Sequence, residues 1–363
     1  MARAIHWQGR PVAASANRKQ SLSRLRVAVI GTGSLGKEHA RIYAELAAQG
    51  LVDFVGLHDV NAEQARRIAQ QHGVLVFDSL AAAAAAADAL SVVTPTHTHF
   101  EVTRTLLTQG KHVLVEKPMT DNGAKAGELV REAQKHAVVL QVGHVERFNP
   151  VFQYLRNVAT HPRFIETHRL SPFPARSTDI GVVLDLMIHD LDVVLAFVQS
   201  PVVQVDAVGI AVLSASEDIA NARLRFANGC VANLTASRIS PERMRKIRVF
   251  SGGQQPSYVS LDYRAQEGFI YRLAKGSESE SSLLKKLLSS KDSTIVSEFG
   301  GKRIVREPVP ILKEEPLRLE LQSFVECVQA RQSPVVSGES AKLALDLAFE
   351  ITAQIQVARD RVE

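Results

Sequence analysis

The chain reads as a doubly wound parallel α/β sheet followed by an α+β region built on a large, mostly antiparallel sheet. Three observations predict this. Short apolar strands alternate with helical stretches from Leu25 to Gly143. From about Phe164 strand-like segments follow one another without long helices between them. Asn228-Gly229, flanked by NARLRF and CVANLTA, is a strong hairpin signal.

The expected strands of the first half are RVAVI (26–30), VDFVGL (52–57), VLVF (74–77), ALSVV (89–93), HVLVE (112–116) and VVLQVG (138–143). The alanine run 81–87 is a helix former. The second half offers IETHRL, VVQVDAVGIAV, NARLRF, CVANLTASR, KIRVF and SYVSLDY as strands, with helices at 181–198, 317–330 and 339–358. Residues 276–294 are rich in serine and charge and read as a mobile excursion between strands. The expected divisions are a basic leader over 1–24, a first domain over 25–143 and a second over 144–363.

Composition narrows the classes. Of 363 residues, 45% are hydrophobic and 22% charged, as in globular chains. No apolar run approaches the roughly 20 residues that span a bilayer, so no membrane role is expected. The net charge of +5 is unevenly placed: residues 1–37 carry seven basic side chains and no acid, leaving 36 basic against 38 acidic beyond them. A nucleic-acid surface needs its positive charge on the folded body, so that partner is not expected. Residues 1–24 read as a disordered extension or, alternatively, an organellar targeting peptide. The two cysteines, Cys230 and Cys327, lack metal-ligand spacing and fit a reducing cytoplasm.

The first strand runs into Gly31-Thr32-Gly33-Ser34-Leu35-Gly36 and then a helix. Such a glycine pattern turns the chain tightly, lets backbone approach a pyrophosphate, and aims helix N–H groups at it. The second strand ends at Asp59, 23 residues beyond Gly36, where a ribose-binding carboxylate belongs. No arginine stands immediately beside Asp59, so NAD is expected rather than NADP.

The carboxyl ends of the other parallel strands carry Thr94-Pro95, Glu116-Lys117-Pro118 and His144. Lys117 there is either a group facing the crevice or a solvated surface lysine. Asp185 and His189 share one helix face at i, i+4 spacing, either as an oriented base or as a surface pair. His144, Arg147 and Asn149 of VGHVERFNP either line the crevice rim or cap a crossover. Arg169 and Arg176 are either diphosphate ligands or exposed strand-end charges.

Together the glycine-rich start, VLVEKPM (113–119) and DLMIHDLD (185–192) resemble the Gfo/Idh/MocA oxidoreductases, from Leu25 onward. The resemblance implies Lys117, Asp185 and His189 as catalytic residues, with Asp192 completing the spacing. It implies that Thr94-Pro95-Thr96-His97-Thr98-His99 lies near the nicotinamide, although His97 and His99 also suit a helix start. The family wording Asp-Leu-Gly-Ser-His is here Asp-Leu-Met-Ile-His, a local departure. VGHVERFNP, residues 169–192 and the EEPLRLELQSFVECV…SPVVSGE segment resemble a narrower branch acting on UDP-N-acetylglucosamine. That implies NAD-dependent oxidation of a 3-hydroxyl without metal, a nucleotide-sugar substrate, a dimer or tetramer through the second sheet, and an aminotransferase consuming the product for lipid A. Another sugar, a uronate or inositol is the rival substrate, and a non-catalytic dinucleotide sensor the rival class.

Overall fold

The computed structural model of the chain describes residues 24–159, 161–173, 180–253, 256–274, 294–299 and 302–360. The leader up to residue 23, residues 275–293 and Arg176 therefore lie outside the described residues.

The first sheet has six parallel strands: β1 (Leu25–Ile30), β2 (Val52–His58), β3 (Leu75–Val76), β4 (Ala89–Val92), β5 (His112–Glu116) and β6 (Leu140–Gly143). Their order is β3-β2-β1-β4-β5-β6. β1, β4 and β5 are buried on both faces, as expected of parallel strands covered by helices on either side. The covering helices are α1 (Gly36–Ala48), α2 (Ala62–His72), α3 (Leu80–Ala86), α4 (Thr96–Thr108) and α5 (Gly123–Lys135). The strand order reverses between β1 and β4, which places a crevice beyond their carboxyl ends.

A 3₁₀ turn (Val145–Phe148) and α6 (Pro150–Val158) lead into the second sheet. Its strands are β7 (Pro162–Leu170), β8 (Val202–Ile210), β9 (Ile219–Phe226), β10 (Val231–Ser237), β11 (Met244–Ser251), β12 (Ser257–Asp262), β13 (Glu267–Leu273), β14 (Thr294–Phe299) and β15 (Lys302–Pro308). The order is β14-β15-β13-β12-β11-β7-β10-β9-β8, and only β7 and β10 pair in parallel. One face, with Ile165, Leu234, Ile247 and Val249, is fully buried in the main core, which also includes residues of α7 (Ile188–Val198) and α9 (Gly338–Arg359). The opposite face carries an aromatic ladder: Phe164 on Phe250, Phe250 on Tyr258 and Tyr258 on Tyr271, at 5.7, 4.5 and 5.0 Å between rings.

Two departures from the sequence reading affect the site. The stretch expected as one helix over 181–198 opens with a π turn, Val183–Met187, before α7 begins. Such turns widen the helix locally and re-aim its side chains. In addition α8 (Pro316–Ala330), far along the chain, returns to the first sheet and buries Leu321, Phe324 and Val325 in the core around Val27 and Tyr43. No helix among the described residues is long and apolar enough to cross a membrane.

Candidate active site

The glycine loop closes the first strand as its residue types require. Gly31 has φ +93° and lies against the Val93 carbonyl, so a side chain there would collide. A Cβ on Gly33 would meet nothing within 4 Å, which leaves its backbone open to a ligand. Asn61, Ser79 and Asn122 cap α2, α3 and α5 through their side chains, whereas α1 starts from Leu35 with no side-chain cap. The uncapped N–H groups and dipole of α1 suit a pyrophosphate.

Asp59 is tied to the glycine loop. Its Oδ2 accepts from the Thr32 backbone N–H at 2.6 Å and from Thr32 Oγ1 at 2.8 Å, and its Oδ1 accepts from Asn61 N–H at 2.8 Å. Partial burial pushes its pKa up, but these hydrogen bonds outweigh burial and keep it below the usual carboxylate value. A carboxylate has about four acceptor positions, so room remains for a ribose hydroxyl. These features fit a dinucleotide: the Gly31–Gly36 loop would hold its pyrophosphate and Asp59 its ribose.

At the β5 end, Glu116 accepts from Lys117 N–H at 3.2 Å and sits 3.2 Å from His39 Nε2. Its carboxyl lies so close to Gly143 that a Cβ there would approach to 2.7 Å. The Lys117–Pro118 bond is cis. Across from it, Lys117 Nζ donates to the Asp185 carbonyl at 2.8 Å and to Asp185 Oδ1 at 3.1 Å.

This corrects the expected pairing of Asp185 with His189. The π turn places Asp185 on the lysine, and His189 Nδ1 is buried without a hydrogen-bond partner. His189 instead stands edge-on to the buried ring of His144, 6.0 Å away. Burial, with Lys117, Arg169, His144 and Arg245 nearby, pushes His189 well below the ordinary histidine value. Burial, with Lys117 and Arg147, likewise lowers His144 to about 3. Both rings are therefore neutral at physiological pH, the form that accepts a proton.

Arg147 and Arg169, two of the arginines singled out from sequence, are spent elsewhere. Arg169 grips Asp190 through Nε and Nη2 at 3.0 Å each, and Glu146 through Nη1 at 3.1 Å, all deeply buried. Arg147 pairs with Asp192 at 3.3 Å and donates to the Val335 carbonyl at 3.1 Å. Asn149 caps α6 and donates to Glu146 and to the Tyr263 carbonyl, both at 3.1 Å. His99 is buried, its ring nitrogens 2.8 Å from the Pro118 carbonyl and 2.7 Å from that of Thr94. It clasps the β4 and β5 loops together, whereas His97 is exposed at the start of α4.

Lys117, Glu116, Asn149 and His189 line one cavity of about 460 Å³. Arg245, Tyr263 and Arg264 line it too, and the sequence reading missed all three. Only strand register finds them: Arg245 on β11 pairs with Arg169 on β7. A cavity of about 940 Å³ at the amino ends of β5 and β6, beside His112 and Arg331, contains none of the groups above, so size alone does not mark the site.

Comparison with known proteins identifies the family. Residues 25–144 match "Oxidoreductase family, NAD-binding Rossmann fold" and residues 155–253 match "GFO/IDH/MocA C-terminal domain". The UDP-N-acetylglucosamine 3-dehydrogenase of Acidithiobacillus ferrooxidans is 35% identical over 93% of this chain and 99% of its own. A solved structure of that enzyme superposes with a TM-score of 0.79 at 34% identity, covering 92% and 98% of the two chains. The scyllo-inositol 2-dehydrogenase (NAD(+)) of Bacillus subtilis is 24% identical over 91% of this chain and 93% of its own. With a glycine loop, a strand-end lysine and a neutral histidine gathered at one sheet edge, the chain belongs to the Gfo/Idh/MocA family and is an NAD-dependent dehydrogenase.

Proposed function

We propose that the enzyme oxidises the 3-hydroxyl of UDP-N-acetylglucosamine to the 3-keto sugar. The observation that carries this reading is the full-length 35% identity to a UDP-N-acetylglucosamine 3-dehydrogenase, combined with Lys117 and His189 on one cavity. NAD, when bound, supplies the hydride acceptor. His189, neutral and half-buried, takes the hydroxyl proton. Lys117, fixed by two contacts to Asp185, donates to the same oxygen and stabilises the negative charge that develops on it. Asp185 thus acts by aiming the lysine. Arg147, Arg169 and Asn149 hold the crevice walls, and Thr94, Pro95 and Glu116 shape the nicotinamide end.

The aromatic ladder of Phe164, Phe250, Tyr258 and Tyr271 supports a homodimer or homotetramer through the outer sheet face. Light scattering giving a mass near the 39.7 kDa of one chain would refute that assembly. The free cysteines fit a cytoplasmic enzyme. A 3-keto product suits an aminotransferase, which would yield a diamino sugar for lipid A. The test is absorbance at 340 nm with NAD and UDP-N-acetylglucosamine, with an aminotransferase and glutamate to draw the equilibrium. Reduced cofactor from wild type, lost in Lys117→Ala and His189→Ala, is the expected result. Turnover of a free inositol or uronate alone would overturn the substrate and keep the chemistry.

A further inference from the structure

We propose that Arg245 and Arg264 form the subsite for the diphosphate of a nucleotide-linked sugar; this rests on the reading of the crevice given above. The argument begins with register. Arg245 on β11 lies directly opposite Arg169 on β7, and directly paired residues project to the same face of a sheet. Two like charges so placed repel each other unless something separates or neutralises them. Arg169 is neutralised completely, by a two-pronged grip on Asp190 and a third hydrogen bond to Glu146. Arg245 is not. Its nearest acid is that same Glu146, at 3.7 Å and already engaged, and it has no side-chain hydrogen bond among the described residues. Its side chain is 55% exposed, against 5% for that of Arg169.

Arg264 adds a second unspent cation. It lies in the turn after β12, where Asp262 Oδ1 accepts from the backbone N–H of Arg264 and Ala265 at 2.9 and 3.0 Å. The adjacent Tyr263 N–H donates to the Arg245 carbonyl at 2.8 Å, and the Tyr263 carbonyl accepts from Asn149 at 3.1 Å. The turn is thereby tied to β11 and to the crevice wall. Among the described residues the Arg264 side chain has no hydrogen bond or ion pair, and both arginines line the cavity that holds Lys117 and His189. Burial and the nearby Arg169 lower the proton affinity of Arg245, Glu146 and Asp190 act against that, and Arg264 adds to the lowering.

Two guanidinium forks that line one cavity, one with no ion pair and the other with only a 3.7 Å contact to a shared carboxylate, suit a ligand with two adjacent anionic groups. A diphosphate supplies them, whereas one fork suffices for a single carboxylate. The pyrophosphate of NAD has its own place at the Gly31–Gly36 loop, on the other sheet. The assignment leaves Arg169 and Arg147, both already paired, out of substrate recognition.

The test is calorimetric titration of UDP into NAD-loaded full-length enzyme, comparing wild type with Arg245→Met, Arg264→Met and the double variant. UDP affinity should fall about tenfold or more per arginine removed, the size of a charge-assisted hydrogen bond. NAD affinity should stay unchanged, which also shows that the variants fold. KM for UDP-N-acetylglucosamine should rise in step while kcat holds. Undiminished UDP binding in the double variant, or no UDP binding by wild type, would overturn the subsite. Arginine-dependent UDP binding without oxidation of UDP-N-acetylglucosamine would keep the subsite and overturn the sugar. A wild type whose free-uronate activity alone depends on these arginines would overturn the diphosphate assignment.

Discussion

The two walls of the crevice are built in opposite ways. On the first sheet each functional group sits at the end of its own strand, a few residues from a motif that names it: the loop from Gly31, Asp59, Thr94, Lys117. On the second sheet the groups are scattered, and pairing brings them together. Arg169 meets Arg245 only because β7 and β11 pair, and Glu146 serves both from a 3₁₀ turn. The difference teaches that groups at the ends of parallel strands are placed by local turn chemistry, while groups on an antiparallel sheet are brought together by register. It also separates arginines by function. Arg169 is buried and fully paired, whereas Arg245 is half-exposed and shares Glu146 with it at 3.7 Å.

The largest expected effect comes from the first wall. Lys117→Ala should lower kcat/KM about a thousandfold, by loss of a donor aimed at the developing oxyanion, with NAD affinity kept. A drop of less than tenfold would remove the lysine from the chemistry. On the second wall, Arg169→Met strands Asp190 as a buried unpaired carboxylate, takes from Glu146 its nearest cation, and should destabilise the fold by about 3–5 kcal/mol. Denaturant melts check this. A stable Arg169→Met that merely raised KM would erase the distinction between the two kinds of arginine.

A smaller effect is expected at Asp59. Asp59→Ala removes the two hydrogen bonds that hold Thr32 of the glycine loop and a third to Asn61, and should weaken NAD binding about tenfold or more by fluorescence titration. Substrate KM at saturating NAD should not move. The smallest effect is a pH shift. Because His189 is held well below the ordinary histidine value, its neutral form persists as pH falls, and the acid limb of kcat/KM should lie below about pH 6.5. Arg245→Met removes one of the cations that disfavour the protonated ring, so the limb should move up, by less than about one unit. A downward movement would mean that His189 is not the titrating base.

Stability follows the same sign. His144 is held near 3 in the folded chain but titrates at about 6.5 when unfolded. The unfolded state takes up the proton first, so its contribution is complete above about pH 6.5 and is lost as pH falls toward 3. Melting temperature should decline over that window.

Much of this was legible in the sequence. Alternating apolar runs predicted six parallel strands in place, although the run 74–77 shortened to Leu75–Val76. The Asn228-Gly229 turn and the strands on either side of it also formed, with Gly229 at φ +81°. The Gly31–Gly36 loop was legible because steric demands at Gly31 and Gly36 are local. Lys117 was legible because strand ends in a parallel sheet face one edge. The partner of Asp185 was not, since spacing alone assumes an α-helix and the chain makes a π turn there. Nor were the true states of Arg147 and Arg169. A charge in a sequence does not announce whether Asp192 or Asp190 will be buried beside it.

By itself, then, the sequence determined the succession of strands and helices along the chain, the glycine loop after the first strand and the place of Lys117 at a strand end, because turns, periodicity and strand-end geometry act over a few residues. Only the tertiary structure decided which charges are spent and which are free. Burial, register and the return of α8 onto the first sheet join residues hundreds apart, and desolvation makes pairing obligatory for any charge so enclosed.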